Sequence, residues 1–264
     1  MKYLVHSIFI FFLLSLNGYS IQNHHYNDSS LKKEYHQTNK ENANKQLNKT
    51  SDVPKNVINK TKQSNAIRTV SNPDVITVLV NKKNYLSRNY VPKDLVYANV
   101  PFIFKEKIEK RKMRKEAALA LMKLFERAKK DHIYLSGISG FRSYATQKVI
   151  FNRYVKEDGY ANARKYSAVP GSSEHQTGLT IDVSSSTGKC AATSCFANTK
   201  EAKWLEKNSS NYGFIIRYPK GKEQITGYKY EPWHIRYVGV TPAKQMKKRN
   251  ITLEEYLNAY PVSK

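Results

Sequence analysis

The sequence predicts an α+β fold: a single domain in which a small antiparallel sheet is flanked by helices. Three observations point there. Val75 to Val80 is a β-branched run bounded by Asn72-Pro73 and Asn81-Lys82, the pattern of a buried strand. Lys105 to Asp131 carries Ala117, Leu121, Leu124 and Ala128 at spacings of three and four, with Lys and Arg filling the other face, the pattern of an amphipathic helix. Strands come mixed with helices without a repeating unit, and no internal repeat is found.

In chain order, residues 1–20 read as a signal peptide or signal anchor. Lys2 supplies the early positive charge, Ile8 to Leu16 the apolar run, and Gly18 and Ser20 the small residues near a cleavage site. A spanning helix needs about 20 apolar residues, so this run is too short for one. No Cys follows it, which argues against a lipoprotein signal. Both readings place the rest of the chain outside the cytoplasm. Residues 21–71 are rich in Asn, Lys, Gln, Ser and Thr with scattered apolar residues, so this stretch cannot bury enough surface to offset its ordering entropy. It reads as a disordered linker, and His24, His25 and His36 within it as unconstrained polar residues rather than a metal tract.

Residues 72–264 then form the folded part, roughly 190 residues, within the range of one domain. After the strand at 75–80 comes the helix from Lys105 to Asp131, the longest expected. Ile133 to Ile138 reads as a strand and Ala145 to Val155 as a second helix. Asn198 with Glu201 resembles a capping box for a helix carrying Trp204 and Leu205 that stops before Gly213. Thr241-Pro242, and Thr252 with Glu255, start two short C-terminal helices.

Composition excludes several classes. With 40% hydrophobic residues a packed core is possible, while 11 Gly, no long heptad run and one short apolar stretch exclude collagen, a coiled coil and a multispanning membrane protein. The formal net charge of +24 calls for a polyanionic neighbour. Export argues against nucleic acid, and no aromatic RNA-reading motif is present. The Lys-rich stretches, Lys32 to Lys62 and Lys105 to Lys130, therefore point to an anionic cell-wall polymer or membrane surface.

Two unusual segments concentrate the chemistry. Ser173 to Asp182 reads SEHQTGLTID, and Glu231 to Tyr237 reads EPWHIRY. His175, Asp182 and His234 would supply a zinc ion with His, carboxylate and His, leaving a fourth position open. Asp182 follows Leu179-Thr180-Ile181, so its carboxylate is expected at a strand end, where an unpaired buried charge is costly and a metal would offset that cost. Glu231, in a bend set by Pro232, is placed to act as general base. Each residue also has an ordinary reading: a hydrogen-bonded histidine, a turn aspartate, a surface glutamate. Spacing alone leaves these open, because no compact motif such as H-E-x-x-H is present.

These segments, preceded by Ser139-Gly140-Phe141-Arg142-Ser143 with Gln147, resemble in order the three motifs of the VanY-type D-alanyl-D-alanine carboxypeptidases, zinc peptidases of the M15B group. The likeness runs from about residue 73 to the C-terminus. Phe141 stands where the family often has Tyr, and Thr180 where it often has Ala. The resemblance implies a fold similar to the D,D-carboxypeptidase and Hedgehog-type zinc peptidases, and one zinc ion held by His175, Asp182 and His234. It implies Glu231 as catalytic base and Arg142 facing the substrate. The Arg142 fork suits either a developing oxyanion or a terminal carboxylate. Ser173 and Gln147 are candidate substrate hydrogen-bond partners, with a cap or loop contact as the alternative. Trp233 either walls the site or is simply core. The only cysteines, Cys190 and Cys195, read in an exported protein as a local disulfide.

The expected function is removal of the terminal D-alanine from peptidoglycan stem peptides by a monomeric zinc metallocarboxypeptidase, secreted or membrane-anchored at the bacterial cell wall. Two alternatives keep the site and change the cut: an L,D-carboxypeptidase, or an endopeptidase acting within the stem. A third, from another class, is a non-catalytic basic wall-binding protein.

Overall fold

A computed structural model describes residues 66–258. The signal reading of residues 1–20 and the linker reading of residues 21–65, with His24, His25 and His36, lie outside the described residues. The end of the expected linker is already structured: Arg68–Thr69 (β1) pairs in parallel with Asn84–Tyr85 (β2).

The expected strand at Val75–Val80 does not form. The segment runs through turns, with the Val78 N–H donating to the Val75 carbonyl at 3.1 Å. The carbonyls of Ile76 and Val78 both accept from Arg236 Nη2 at 2.8 Å, so they are taken by a buried side chain instead of a strand ladder. Val78 and Val80 are still buried in the core, which is what their β-branched chemistry required.

Leu95–Tyr97 (β3) and Lys112–Arg114 (β4) form a small antiparallel pair. The long helix therefore starts later than its periodicity suggested, at Lys115, and runs to Lys130 (α1). Residues ahead of it are committed elsewhere: the carbonyls of Lys110 and Lys112 accept the N–H groups of Gly140 and Phe141 at 2.6 and 2.7 Å, which a helix would forbid. Ala117, Leu121, Leu124 and Ala128 are fully buried, as their spacing predicted.

The main sheet has four antiparallel strands: Leu135–Ser139 (β5), Thr180–Ser185 (β6), Phe214–Ile216 (β7) and His234–Tyr237 (β8), in the order β5-β6-β8-β7. This is the small antiparallel sheet that the α+β reading called for. Alternation along its two central strands separates two faces. Ile181 and Val183 on β6, with Ile235 and Tyr237 on β8, join the core shared with α1. Thr180 and Asp182, with His234 and Arg236, fall on the other face, and all four are buried. A sheet with one apolar and one polar buried face needs ion pairs or a ligand on the polar side.

Helices complete the domain. Tyr144–Asp158 (α2) is capped by Ser143, whose hydroxyl accepts from the Thr146 N–H at 3.3 Å, and is followed by Tyr160–Tyr166 (α3). Lys200–Asn208 (α4) is capped by Thr199 rather than Asn198, because the chain is still in a 3-10 turn through Asn198. Glu223–Thr226 (α5) is a single turn. Val240–Arg249 (α6) begins just after Gly239, ahead of the Thr241-Pro242 start that the sequence suggested. Leu253–Tyr256 (α7) has the expected capping box between Thr252 and Glu255. Among the described residues no helix is long and apolar enough to cross a membrane.

Candidate metal centre

His175 lies in a one-turn 3-10 helix, Glu174–Thr177, closed by Gly178 at φ 66°. Gly178 is needed there for conformation and for space, since a Cβ would sit 2.8 Å from Leu95 Cδ2. The turn buries His175 and aims Nδ1 at the Gly140 carbonyl, 2.7 Å away. A carbonyl only accepts, so the proton resides on Nδ1 and Nε2 presents its lone pair. That Nε2 is 3.3 Å from Asp182 Oδ2.

Asp182 is not at a strand end, as the sequence suggested, but inside β6, directly opposite His234 on β8. Its Oδ1 is 3.0 Å from His234 Nδ1. The two imidazoles are 5.1 Å apart and nearly perpendicular. One ligand atom from each of His175, Asp182 and His234 lies within 4.8 Å of the others, and all three residues are buried. This donor set fits zinc. Burial pushes the Asp182 carboxyl up, but the attraction of His175 and His234 outweighs it and holds the group well below the usual carboxylate range. Burial lowers His234, yet Asp182 and Glu174 outweigh it and carry its pKa to about 9.

Glu231 occupies the turn before β8, with Oε2 3.6 Å from His234 Nδ1. Burial pushes its carboxyl up to about 7, against the pull of His234, which suits a general base near neutral pH. Arg142 follows β5. Its Nη1 donates to Gln147 Oε1 at 2.8 Å and its Nη2 to Ser139 Oγ at 3.2 Å, and it has no ion pair among the described residues. Desolvation draws its pKa below the ordinary value. Gln147 also donates from Nε2 to the Ala168 carbonyl at 2.7 Å, so both ends of its amide are engaged and it steadies Arg142.

His175, Asp182, His234, Glu231, Arg142 and Gln147 line one cleft of about 280 Å³, together with Ser173, Trp233, Tyr154, Tyr218 and Tyr228. Trp233 serves both of its expected roles, lining the cleft and packing against the core. Cys190 and Cys195 form a disulfide, and Ala192 within that loop reaches the cleft wall.

Sequence reasoning missed the charge network beneath the cluster. Glu174 Oε1 accepts from Arg217 Nε and from Arg236 Nη1, both at 2.7 Å. The other side of Arg217 forms a bidentate pair with Glu254 on α7, at 2.9 and 2.7 Å. These four side chains are fully buried. Burial raises the Glu174 carboxyl, but the two guanidiniums prevail and keep it well below the usual range. Glu174 and Arg236 lie inside the two segments singled out from the sequence, and their place there was the only signal. Arg217 and Glu254 have nothing local to distinguish them from surface charges.

The VanY model, D-alanyl-D-alanine carboxypeptidase, matches residues 110–240. YodJ of Bacillus subtilis (strain 168), named as a carboxypeptidase, is 50% identical over 198 residues, covering 75% of this chain and 72% of its own length. The chain belongs to the VanY family. Among solved structures, the LdcB LD-carboxypeptidase is 49% identical with a TM-score of 0.71, covering 75% of this chain and 93% of that one. A zinc-bound mutant of the D,D-pentapeptidase VanY, from a VanB-type vancomycin-resistance cassette, is 33% identical with a TM-score of 0.54, covering 69% and 99%. As a VanY-family chain the protein is a zinc-dependent carboxypeptidase, a peptide hydrolase of mixed helix and sheet.

Proposed function

We propose that this chain removes the terminal D-alanine from peptidoglycan stem peptides, with His175, Asp182 and His234 holding zinc, Glu231 as base and Arg142 as the carboxylate reader. The observation that carries the proposal is Arg142: a cation set in the wall of the cleft that holds the His-Asp-His cluster, bonded to neutral side chains and without an ion pair among the described residues. The planar fork of this half-buried guanidinium, hydrogen-bonded only to neutral side chains, can pair bidentately with the free carboxylate of a peptide C-terminus. That selects exopeptidase over endopeptidase chemistry.

Bound zinc lowers the pKa of water at the site toward about 7 and polarises a carbonyl. The chain's own residues do the rest. Arg142 fixes the terminal carboxylate, which sets the last peptide bond against the cluster. Glu231 takes a proton from water as the water oxygen attacks the scissile carbonyl carbon, and gives it to the amine nitrogen that departs as the C–N bond breaks, the role for which its raised pKa suits it. Gln147 holds Arg142 in place, and Ser173, buried on the cleft wall, hydrogen-bonds the substrate backbone.

The likeness to the LdcB LD-carboxypeptidase favours a second reading, in which the tetrapeptide stem is the substrate. Incubation with synthetic pentapeptide and tetrapeptide, with the products weighed, separates the two: D-alanine released only from the tetrapeptide overturns the D,D assignment. The basic stretches are proposed to hold a monomeric enzyme at the anionic cell wall or membrane surface, outside the cytoplasm, with residues 1–20 as the export signal and residues 21–65 as the linker.

A further inference from the structure

We propose that Glu174 is the positioning residue for His234: an ionised carboxylate that receives the Nε2–H of that imidazole when Nδ1 is given to the metal. The inference rests on the reading of His175, Asp182 and His234 as zinc ligands.

His234 offers the cluster only one of its nitrogens. Nδ1 faces Asp182 Oδ1 at 3.0 Å and Glu231 Oε2 at 3.6 Å. Once Nδ1 is a ligand, the ring proton must sit on Nε2, because a neutral imidazole carries one N–H. That Nε2 is buried and has no hydrogen-bond partner among the described residues. The carboxylate facing it is Glu174, with Oε2 at 3.8 Å. Closing this gap by about 1 Å makes a charge-assisted hydrogen bond of ordinary length.

Glu174 is prepared for that task. Its Oε1 is committed to Arg217 and Arg236, both at 2.7 Å, which fix the carboxylate plane. Its Oε2 accepts from the Thr180 hydroxyl at 3.3 Å and retains acceptor capacity toward His234. Strand register explains the arrangement. Thr180 opposes Arg236 and Asp182 opposes His234, so the four side chains occupy one face of two adjacent strands and Glu174 packs against that face. Two guanidiniums against one carboxylate would leave an excess buried cation, and Glu254 balances it from α7. The C-terminal helix thereby contributes to the orientation of a metal ligand.

The test uses zinc-loaded protein labelled with ¹⁵N histidine, read by long-range ¹H–¹⁵N correlation and by competition with a chelator. The expected result is a His234 ring protonated at Nε2 in the wild type. Glu174→Gln should shift that proton signal and weaken zinc binding by about 10- to 100-fold. Glu254→Gln loosens Arg217, one contact further from His234, and should weaken zinc binding by less than Glu174→Gln does. A wild-type His234 protonated at Nδ1 overturns the proposal, and so does an equal loss of affinity in Glu254→Gln. Where Glu174→Gln does not fold, the wild-type Nε2–H signal decides: a strongly downfield shift is expected of a charge-assisted hydrogen bond to Glu174, and an ordinary imidazole shift overturns the proposal. Asp182→Asn separates the two layers: if it binds zinc as tightly as the wild type, the ligand reading itself fails; if it loses zinc while folded Glu174→Gln keeps wild-type affinity, only this inference fails.

Discussion

The Gly140 carbonyl lies 2.7 Å from His175 Nδ1 and ties the strand β5 to the proposed ligand turn across 35 residues of sequence. A carbonyl at that position fixes both the ring's orientation and its tautomer, the usual arrangement behind a metal-binding imidazole. Gly140 also sits where no side chain fits, because a Cβ would be 2.5 Å from the Lys112 carbonyl oxygen and 3.1 Å from that of Lys110.

Gly140→Ala should therefore displace the carbonyl that holds His175. Both obstructing atoms are backbone and cannot swing aside. A loss of about 1 to 3 kcal/mol in denaturant unfolding is expected, with zinc affinity reduced about tenfold. Wild-type values on both measurements would refute the positioning role of Gly140.

Glu231→Gln keeps the shape of the side chain and removes its proton chemistry. Zinc content should stay at the wild-type level while kcat falls by about 10²- to 10⁴-fold. Metal analysis beside steady-state kinetics checks both halves, and an active variant removes Glu231 from the mechanism.

Arg142→Lys retains the charge but not the planar fork. On a peptide with a free C-terminus, kcat/KM should drop by about 10- to 100-fold, corresponding to the roughly 1.5 to 3 kcal/mol of a hydrogen bond to a charged group. The C-terminal amide should be a poor substrate for both proteins. An amide cleaved by the wild type as well as the acid would show that Arg142 does not read the carboxylate.

Replacing Cys190 and Cys195 together with Ala should cost at most about 2 kcal/mol, since the bridge closes a short loop. The loop borders the cleft without supplying a proposed ligand, so zinc content should not change. Denaturant midpoints and metal analysis of the double variant test this, and loss of zinc would place the loop in the metal site.

Glu255 gives a pH signature. Burial raises its carboxyl, but the Thr252 N–H at 2.8 Å and Lys222 pull harder and leave it below the ordinary value. A lowered folded pKa contributes stability above the unfolded value and loses it as pH falls through the folded one. Glu255→Gln should thus be less stable than the wild type at neutral pH by a few tenths of a kcal/mol, roughly the scale of an exposed pair. The gap should close in acid. A gap unchanged between neutral and strongly acid solution would contradict the assignment.

Much of this was legible in the chain. The spacing of Ala117, Leu121, Leu124 and Ala128 fixed the buried face of α1, and Thr252 with Glu255 fixed a cap, because both depend on neighbours within a few residues. The segments around His175 and His234 marked the cleft by residue type and order. The sequence misled where backbone groups were claimed from afar. Val75–Val80 gave its carbonyls to Arg236, and Lys110 and Lys112 gave theirs to Gly140 and Phe141, so neither a strand nor an early helix could form there.

By itself, then, the sequence determined the chemistry available: two imidazoles, a carboxylate, a glutamate and an arginine in family order. Only the tertiary structure decided which atoms meet. Asp182 and His234 are 52 residues apart, and antiparallel register places them opposite each other with the same side-chain direction. Glu174, Arg217, Arg236 and Glu254 became a single buried network for the same reason. A charge can stay in the core only beside its partner, and that proximity arises from the folded sheet rather than from spacing along the chain.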